Sequence, residues 1–237
     1  MRDGLRIVCI IPARAGSKGV PGKNVRLLGD RPLIAHSIAH AQGSRYIDRV
    51  IVSTDGEDIA AAAREAGAEV PFMRPAELAS DTAGTIDVLL HAVRWLEEED
   101  GWPFDILVLL HATTPLRTSA DIDASIDLLV AEHADSVFSV AEAYRNPYFN
   151  MVELDGAGIP HLVKEGAFVS RQEAPPVYDL NSSIYVWWRD TLVDGRKVIL
   201  PNSRVYVMPR ERSVDIDEEL DFRIAQLLLD DTQGEPE

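Results

Sequence analysis

Only one cysteine, Cys9, stands among the 237 residues, so no internal disulfide can form, and that usage suits a reducing cytoplasm. Lying in an apolar run, it reads as a small buried residue rather than a nucleophile. No run of about 18 apolar residues is present to span a membrane, and Met1–Arg6 is too short and polar for a secretory leader. Cations are scarce as well: 23 Lys and Arg stand against 39 Asp and Glu, a net charge of −16. That balance argues against a basic face, and so against nucleic acid as a partner. No internal repeat or low-complexity tract is evident. Both common phosphate motifs are missing too. Lys23 is followed by Asn24 instead of the Ser or Thr of a P-loop, and glycines at 16, 19 and 22 do not match Gly-x-Gly-x-x-Gly.

What the chain does have is a local concentration of the scarce charge. Residues 11–24 read Ile-Pro-Ala-Arg-Ala-Gly-Ser-Lys-Gly-Val-Pro-Gly-Lys-Asn, directly after the apolar run Ile7–Ile11. Glycines let backbone N–H groups approach an anion closely, because no Cβ intervenes. Arg14, Lys18 and Lys23 can then neutralise several negative charges, Arg by a bidentate fork. A triphosphate is the obvious ligand. The competing reading is a glycine-rich surface loop with solvated cations; three cations in so short a stretch of an acidic chain weigh against it. Lys23 itself is expected to be a flexible surface side chain.

Strand-like runs at Ile7–Ile11, Arg49–Ser53, Glu69–Met73, Asp105–Leu110 and Ser136–Val140 alternate with helical patterns at Leu33–Ala41, Asp58–Ala66, Ile86–Glu98 and Ala120–Glu132. Such alternation implies right-handed βαβ units in a mainly parallel sheet, an α/β fold. Ligands bind at the carboxyl ends of such strands, where the glycine loop lies. The rhythm breaks near Tyr144. Four prolines between Asn146 and Asp179, with glycines at 156, 158 and 166, favour turns and ribbon over helix. Strands return at Ser183–Trp188 and Arg204–Met208, and a helix follows at Glu218–Leu229. The expected organisation is one domain over residues 1–237, with an inserted antiparallel arm at about 144–190 of the kind that makes dimers.

Four further segments carry candidate chemistry. Small polar residues crowd 74–85, where Asp81 or Thr82 alone would suffice to cap the following helix. At 109–117, Leu-Leu-His-Ala-Thr-Thr-Pro-Leu-Arg ends a strand, and His111 is either a hydrogen-bonding specificity residue or a satisfied half-buried histidine. At 213–221, Asp215 and Asp217 alternate on an extended stretch, so their carboxylates share a side. They suit Mg²⁺, while Asp217 as a cap of the last helix, or Asp215 and Glu218 as a capping pair, is the rival reading. The stretch 170–185 contains Arg171 and Asn181; for Arg171 a plain surface cation stands as the alternative.

The glycine loop resembles the N-terminal signature of the CMP-sialic acid synthetase (acylneuraminate cytidylyltransferase) family, Pro-Ala-Arg-Gly-Gly-Ser-Lys-Gly-x-Pro-x-Lys-Asn, with Ala15 in place of one glycine. The resemblance spans about Arg6 to Leu229. It implies a Rossmann-like domain of the nucleotide-diphospho-sugar transferase type that joins CTP and a nine-carbon sugar acid, giving a CMP-sugar and pyrophosphate. It implies that Arg14, Lys18 and Lys23 are catalytic. Ala13, Ala15, Gly16, Ser17, Asn24, Arg74, Ala83 and Thr85 would bind the nucleotide, the last three at the cytosine base. His111, Thr113, Arg171 and Asn181 would bind the sugar, His111 replacing the family's usual Gln. Asp215 and Asp217 match the family's magnesium ligands. A cytoplasmic homodimer is expected. The stretch Arg145-Asn-Pro-Tyr-Phe-Asn and Phe149, where the N-acetylneuraminate branch tends to carry Lys, look more like the legionaminic-acid branch. An eight-carbon sugar acid, another nucleotide, and a non-catalytic nucleotide-binding module remain as alternatives.

Overall fold

The computed structural model describes residues 4–16, 19–166, 168–170 and 172–234. Its centre is a six-stranded sheet in the order β10-β6-β9-β5-β1-β4. These strands are β1 (Ile7–Pro12), β4 (Arg49–Ser53), β5 (Ile106–Leu110), β6 (Ser136–Glu142), β9 (Tyr178–Trp188) and β10 (Ser203–Met208). The β1–β4, β1–β5 and β10–β6 pairs are parallel; β9 runs antiparallel between β5 and β6.

Two faces of the sheet are covered, as parallel strands require. Along β1, Ile7, Cys9 and Ile11 face Ile34 and Ile38 of α1 (Leu33–Gln42), Ile59 of α2 (Glu57–Glu65) and Ile122 and Ile126 of α4 (Ser119–Ala131). Val8 and Ile10 face the other way, onto Leu89 and Val93 of α3 (Thr85–Arg94) and Leu192 of α5 (Arg189–Gly195). Because β1 has neighbours reached by crossovers on opposite faces, the loops after β1 and β5 part and leave a crevice at their carboxyl ends. A third small cluster, Leu28, Leu33, Ile216, Phe222 and Ala225, seats α6 (Glu219–Gly234) beside the short pair β2 (Leu27–Leu28) and β3 (Arg31–Pro32).

Four expectations need correction. Glu69–Met73 is no strand: it meets β4 and the residue after it only through isolated bridges, Ile51–Glu69 and Thr54–Met73. Pro71 lies between those contacts and has no N–H to continue the ladder. The third helix ends as α-helix at Arg94 and continues as one π turn over Trp95–Glu99. Strand Ser183–Trp188 extends back to Tyr178 through an irregularity, and α5 had no sequence expectation at all. Of the segment 144–190, Tyr178–Trp188 lies in the central sheet as β9, while β7 (Val152–Leu154) and β8 (Pro160–Leu162) form a separate antiparallel ribbon. Among the described residues no helix is long and apolar enough to cross a membrane.

Candidate active site

A cavity of about 400 Å³ opens at the carboxyl ends of β1 and β5. Ten of the sequence-predicted residues line it: Ala13, Arg14, Lys23, Asn24, Arg74, Ala83, Thr85, His111, Thr113 and Asp217. Ala15, Gly16, Asn181 and Asp215 do not. Ser17, Lys18 and Arg171 lie outside the described residues.

The loop after β1 is held by its backbone. Ala13 N donates to Ser53 O at 3.0 Å, and Ala15 N to Asp55 Oδ1 at 3.0 Å. Asn24 is 5% exposed, and its Nδ2 donates to Arg14 O at 3.0 Å, so it braces the loop as well as lining the cavity. A Cβ on Gly19 would come within 1.9 Å of the Asp217 carbonyl oxygen. Only glycine permits that approach, which docks the loop on the 213–218 segment. Lys23 is not the free surface side chain expected of it. Only 13% of its side chain is exposed, and Nζ donates to Ile216 O at 2.6 Å and to Asp217 Oδ1 at 3.3 Å. Arg14 donates to Asp81 Oδ1 at 2.6 Å.

That pairing decides the role of Asp81. The residue at the N-terminus of α3 is Gly84, which has no side chain to cap it; Asp81 faces the loop cation instead. Arg74 is buried and donates through Nε to Ser53 Oγ at 3.1 Å and through a terminal nitrogen to Ser53 O. Burial, with repulsion from Arg14, lowers its guanidinium to about 10 despite the attraction of Asp55. It remains a cation at neutral pH.

Beyond β5 the chain is organised by Arg117, which sequence reasoning did not single out. This side chain is 1% exposed. It donates to Ser183 Oγ at 2.9 Å and Ser37 Oγ at 2.7 Å, and to His111 O and Thr114 Oγ1. Its five-donor fork therefore fixes the backbone that presents His111. An arginine so soon after a wholly apolar strand was the available signal. His111 meets Tyr185 edge-on, with ring centroids 5.8 Å apart. Burial, then the Arg117 and Lys23 charges, lowers its pKa to about 4, so the ring is neutral at pH 7.

The acidic stretch is threaded between these loops. Ile216 N donates to Thr113 O at 2.8 Å. Asp217 does not cap α6 through its side chain: Asp221 Oδ2 accepts from Asp217 N at 3.1 Å and Glu218 N at 2.8 Å. Asp215 Oδ1 is buried without a hydrogen-bond partner among the described residues. Burial raises the Asp215 pKa, with Asp217 adding to it, while Thr113, Ser182 and Lys23 pull the other way. A buried orphan carboxylate oxygen beside an exposed carboxylate is a donor set that fits Mg²⁺, which needs one or two carboxylates and completes its shell with phosphate and water. No larger group of His, Cys, Asp or Glu stands ready to hold a metal among the described residues.

Comparison with known proteins gives the site a context. The family described as "Cytidylyltransferase" matches residues 8–211. A post-translational flagellin modification protein B of Campylobacter coli is 41% identical over 94% of both chains. A CMP-N,N'-diacetyllegionaminic acid synthase of Campylobacter jejuni is 40% identical over the same shares. In fold, the chain is similar to a CMP:2-keto-3-deoxy-manno-octonic acid synthetase solved with CTP, with a TM-score of 0.72 at 16% identity, covering 96% of this chain and 99% of that one.

Proposed function

The chain belongs to the cytidylyltransferase family, and on that premise we propose that it joins CTP to a nine-carbon 2-keto-3-deoxy sugar acid of the legionaminic type, releasing pyrophosphate. One observation carries the reading: Arg14, Lys23 and Arg74 converge on a single cavity with Asp217 on its wall, in a chain of net charge −16.

The anomeric hydroxyl of the sugar acid attacks the α-phosphorus in line, and the bond to the β-phosphate breaks. Positioning and charge neutralisation supply most of the rate in such transfers. Arg14 and Lys23 cradle the β- and γ-phosphates, with Lys18 assigned to the same cradle by resemblance. Both described cations are paired with carboxylates open to solvent; such pairs are weak, so a triphosphate can take the carboxylate's place while Lys23 keeps its bond to Ile216 O. Arg74, Ala83 and Thr85 take the cytosine base. His111, Thr113 and Arg171 are assigned to the sugar end, where an arginine fork suits the substrate carboxylate. His111, being neutral, serves as a hydrogen-bonding group. Asp215 and Asp217 would hold Mg²⁺, which when bound neutralises phosphate charge and acidifies the attacking hydroxyl.

Support for a legionaminic-type acid comes from the name of the Campylobacter jejuni relative and from Phe149, whose ring suits a less polar sugar face. A homodimer made through the arm fits the exposed apolar side chains of its ribbon, Val152, Leu154 and Ile159. The cytoplasm is the compartment that suits a nucleotide substrate and a lone buried thiol. The test is pyrophosphate release, read as phosphate after pyrophosphatase, with each of the four ribonucleotides against nine-carbon and eight-carbon sugar acids. CTP with legionaminic-type acids should react fastest; equal turnover with all nucleotides would overturn the proposal.

A further inference from the structure

Strand β9 changes course beside the site. Its register with β6 shifts between Phe138 and Val140, and within the irregular stretch Ser182 sits at φ 51°. A serine holds that left-handed conformation only where its surroundings impose it, and such strain collects at functional sites. A bulge of this kind re-aims side chains. Here it turns Asn181 inward, to 5% exposure.

Both hydrogens of the Asn181 amide are committed inside the protein, and its oxygen already accepts one bond. Ser139 Oγ donates to its Oδ1 at 2.6 Å, while Nδ2 donates to Ser213 Oγ at 2.9 Å and Met208 Sδ at 3.4 Å. Ser139 Oγ in turn accepts from Ile184 N at 2.8 Å, and the direction is set at Ser213, whose one hydroxyl hydrogen goes to Pro209 O so that its oxygen accepts from Asn181. Ser213 Oγ also donates to Pro209 O at 2.8 Å, and Arg212 is clamped on buried Asp121 at 2.7 and 3.0 Å. The stretch before Asp215 is thus tied at two consecutive residues, and Ile216 on its far side is tied to Thr113 O.

We propose that Asn181 is a positioning residue: through Ser213 it sets the Asp215 carboxylate, and with it cation affinity in the nucleotide complex, instead of touching the sugar. This rests on the function proposed above and replaces the sugar contact that the family resemblance implies for Asn181. Partners hydrogen-bonded to a metal ligand fix its orientation, and losing one lowers metal affinity about 10- to 100-fold. Thr113 and Ser182 stand in that place at Asp215, and Asn181 acts one step behind, on the backbone that leads to it through Ser213.

The experiment titrates Mn²⁺ into protein plus CTP and reads free Mn²⁺ by electron paramagnetic resonance. CTP affinity in EDTA is measured by calorimetry, and KM for the sugar acid by pyrophosphate release. Asn181→Ala and Ser213→Ala should each raise the Mn²⁺ Kd about tenfold or more. Both should leave metal-free CTP affinity and the sugar KM unchanged, the double variant should be no worse than either single one, and Ser213→Thr should restore binding. If Asn181→Ala fails to fold, Ser213→Ala reads the same bond from its other end. A raised sugar KM with unaltered Mn²⁺ affinity overturns the proposal, as does wild-type Mn²⁺ affinity in Ser213→Ala. Wild-type protein that binds neither CTP nor Mn²⁺ with CTP would instead overturn the functional reading itself, and this inference with it.

Discussion

Arg117 and the pair Arg14–Lys23 belong to the same site, yet they hold their charge in opposite ways. Arg117 is sealed in the core, with every hydrogen bond going to a neutral hydroxyl or carbonyl. Arg14 and Lys23 are paired with Asp81 and Asp217, whose side chains are 45% and 77% exposed. Fixed neutral partners make a cation part of the frame, because moving it would strand several buried groups. Ionic partners open to water leave part of a cation's bonding exchangeable, even for Lys23, which is 13% exposed and also donates to Ile216 O. Only the second arrangement can receive a polyanion.

The sharpest way to break this contrast is Arg117→Ala. It removes the donor for two buried hydroxyls, Ser37 and Ser183, and for the His111 carbonyl, so a loss of about 3–5 kcal/mol is expected. Denaturant unfolding checks it, and Arg117→Lys should rescue little, since an ammonium lacks the fork. A variant with wild-type stability would make Arg117 dispensable to the frame. Lys23→Ala should do the reverse. It loses one hydrogen bond to Ile216 O, worth about 1 kcal/mol, while kcat falls about 10²-fold or more as a preorganised contact disappears. Near-normal turnover would remove Lys23 from the leaving-group site.

Arg171 extends the comparison to the sugar end. Arg171→Ala should raise the sugar-acid KM about 10- to 150-fold, the worth of one charged hydrogen bond, with KM for CTP nearly intact; parallel changes in both would place Arg171 elsewhere. Asp217→Asn is expected to raise the Mg²⁺ needed for half-maximal activity about tenfold with little change in melting temperature. An unaltered Mg²⁺ requirement would leave Asp217 as no more than a partner for Lys23.

The smallest effect concerns protons. His111 and His40 have folded pKa values lowered to about 4 and about 3, chiefly by burial. A base whose pKa falls on folding binds its proton more readily when unfolded. Stability is therefore complete above about pH 6.5 and declines as pH falls toward 4, by at most about 1.4 kcal/mol per pH unit for each histidine. His111→Gln should flatten that acid slope by one histidine's share in melting curves, and an unchanged slope would mean His111 titrates normally. The same variant, assayed on legionaminic-type and neuraminic-type acids, tests its part in choosing the sugar.

Much of this was legible along the chain, because the relevant signals are local. Apolar periodicity marked β1, β4, β5 and β6 and the covering helices α1 to α4, and the glycines and cations after β1 marked a loop that borders the cavity. Misreadings had two sources. In Glu69–Met73 a local signal, Pro71, was outweighed by the apolar residues around it; elsewhere a distant residue decided the outcome. Asp81 looked like a helix cap until Arg14, 67 positions earlier, was found against it. The partners of the Asn181 amide, Ser139 and Ser213, likewise lie 42 and 32 positions away.

By itself, then, the amino-acid sequence determined which loops border the cavity and where the candidate residues lie in them, since strand ends, glycine freedom and charge are properties of a few neighbouring residues. Tertiary structure alone decided which cations are frame and which are exchangeable. That distinction depends on burial and on partners brought together across 66 to 194 positions of chain, as in Arg117 with Ser183 and Lys23 with Asp217. Burial removes the water that would otherwise solvate a charge, and so the same side-chain type becomes a structural brace in one place and a ligand site in the other.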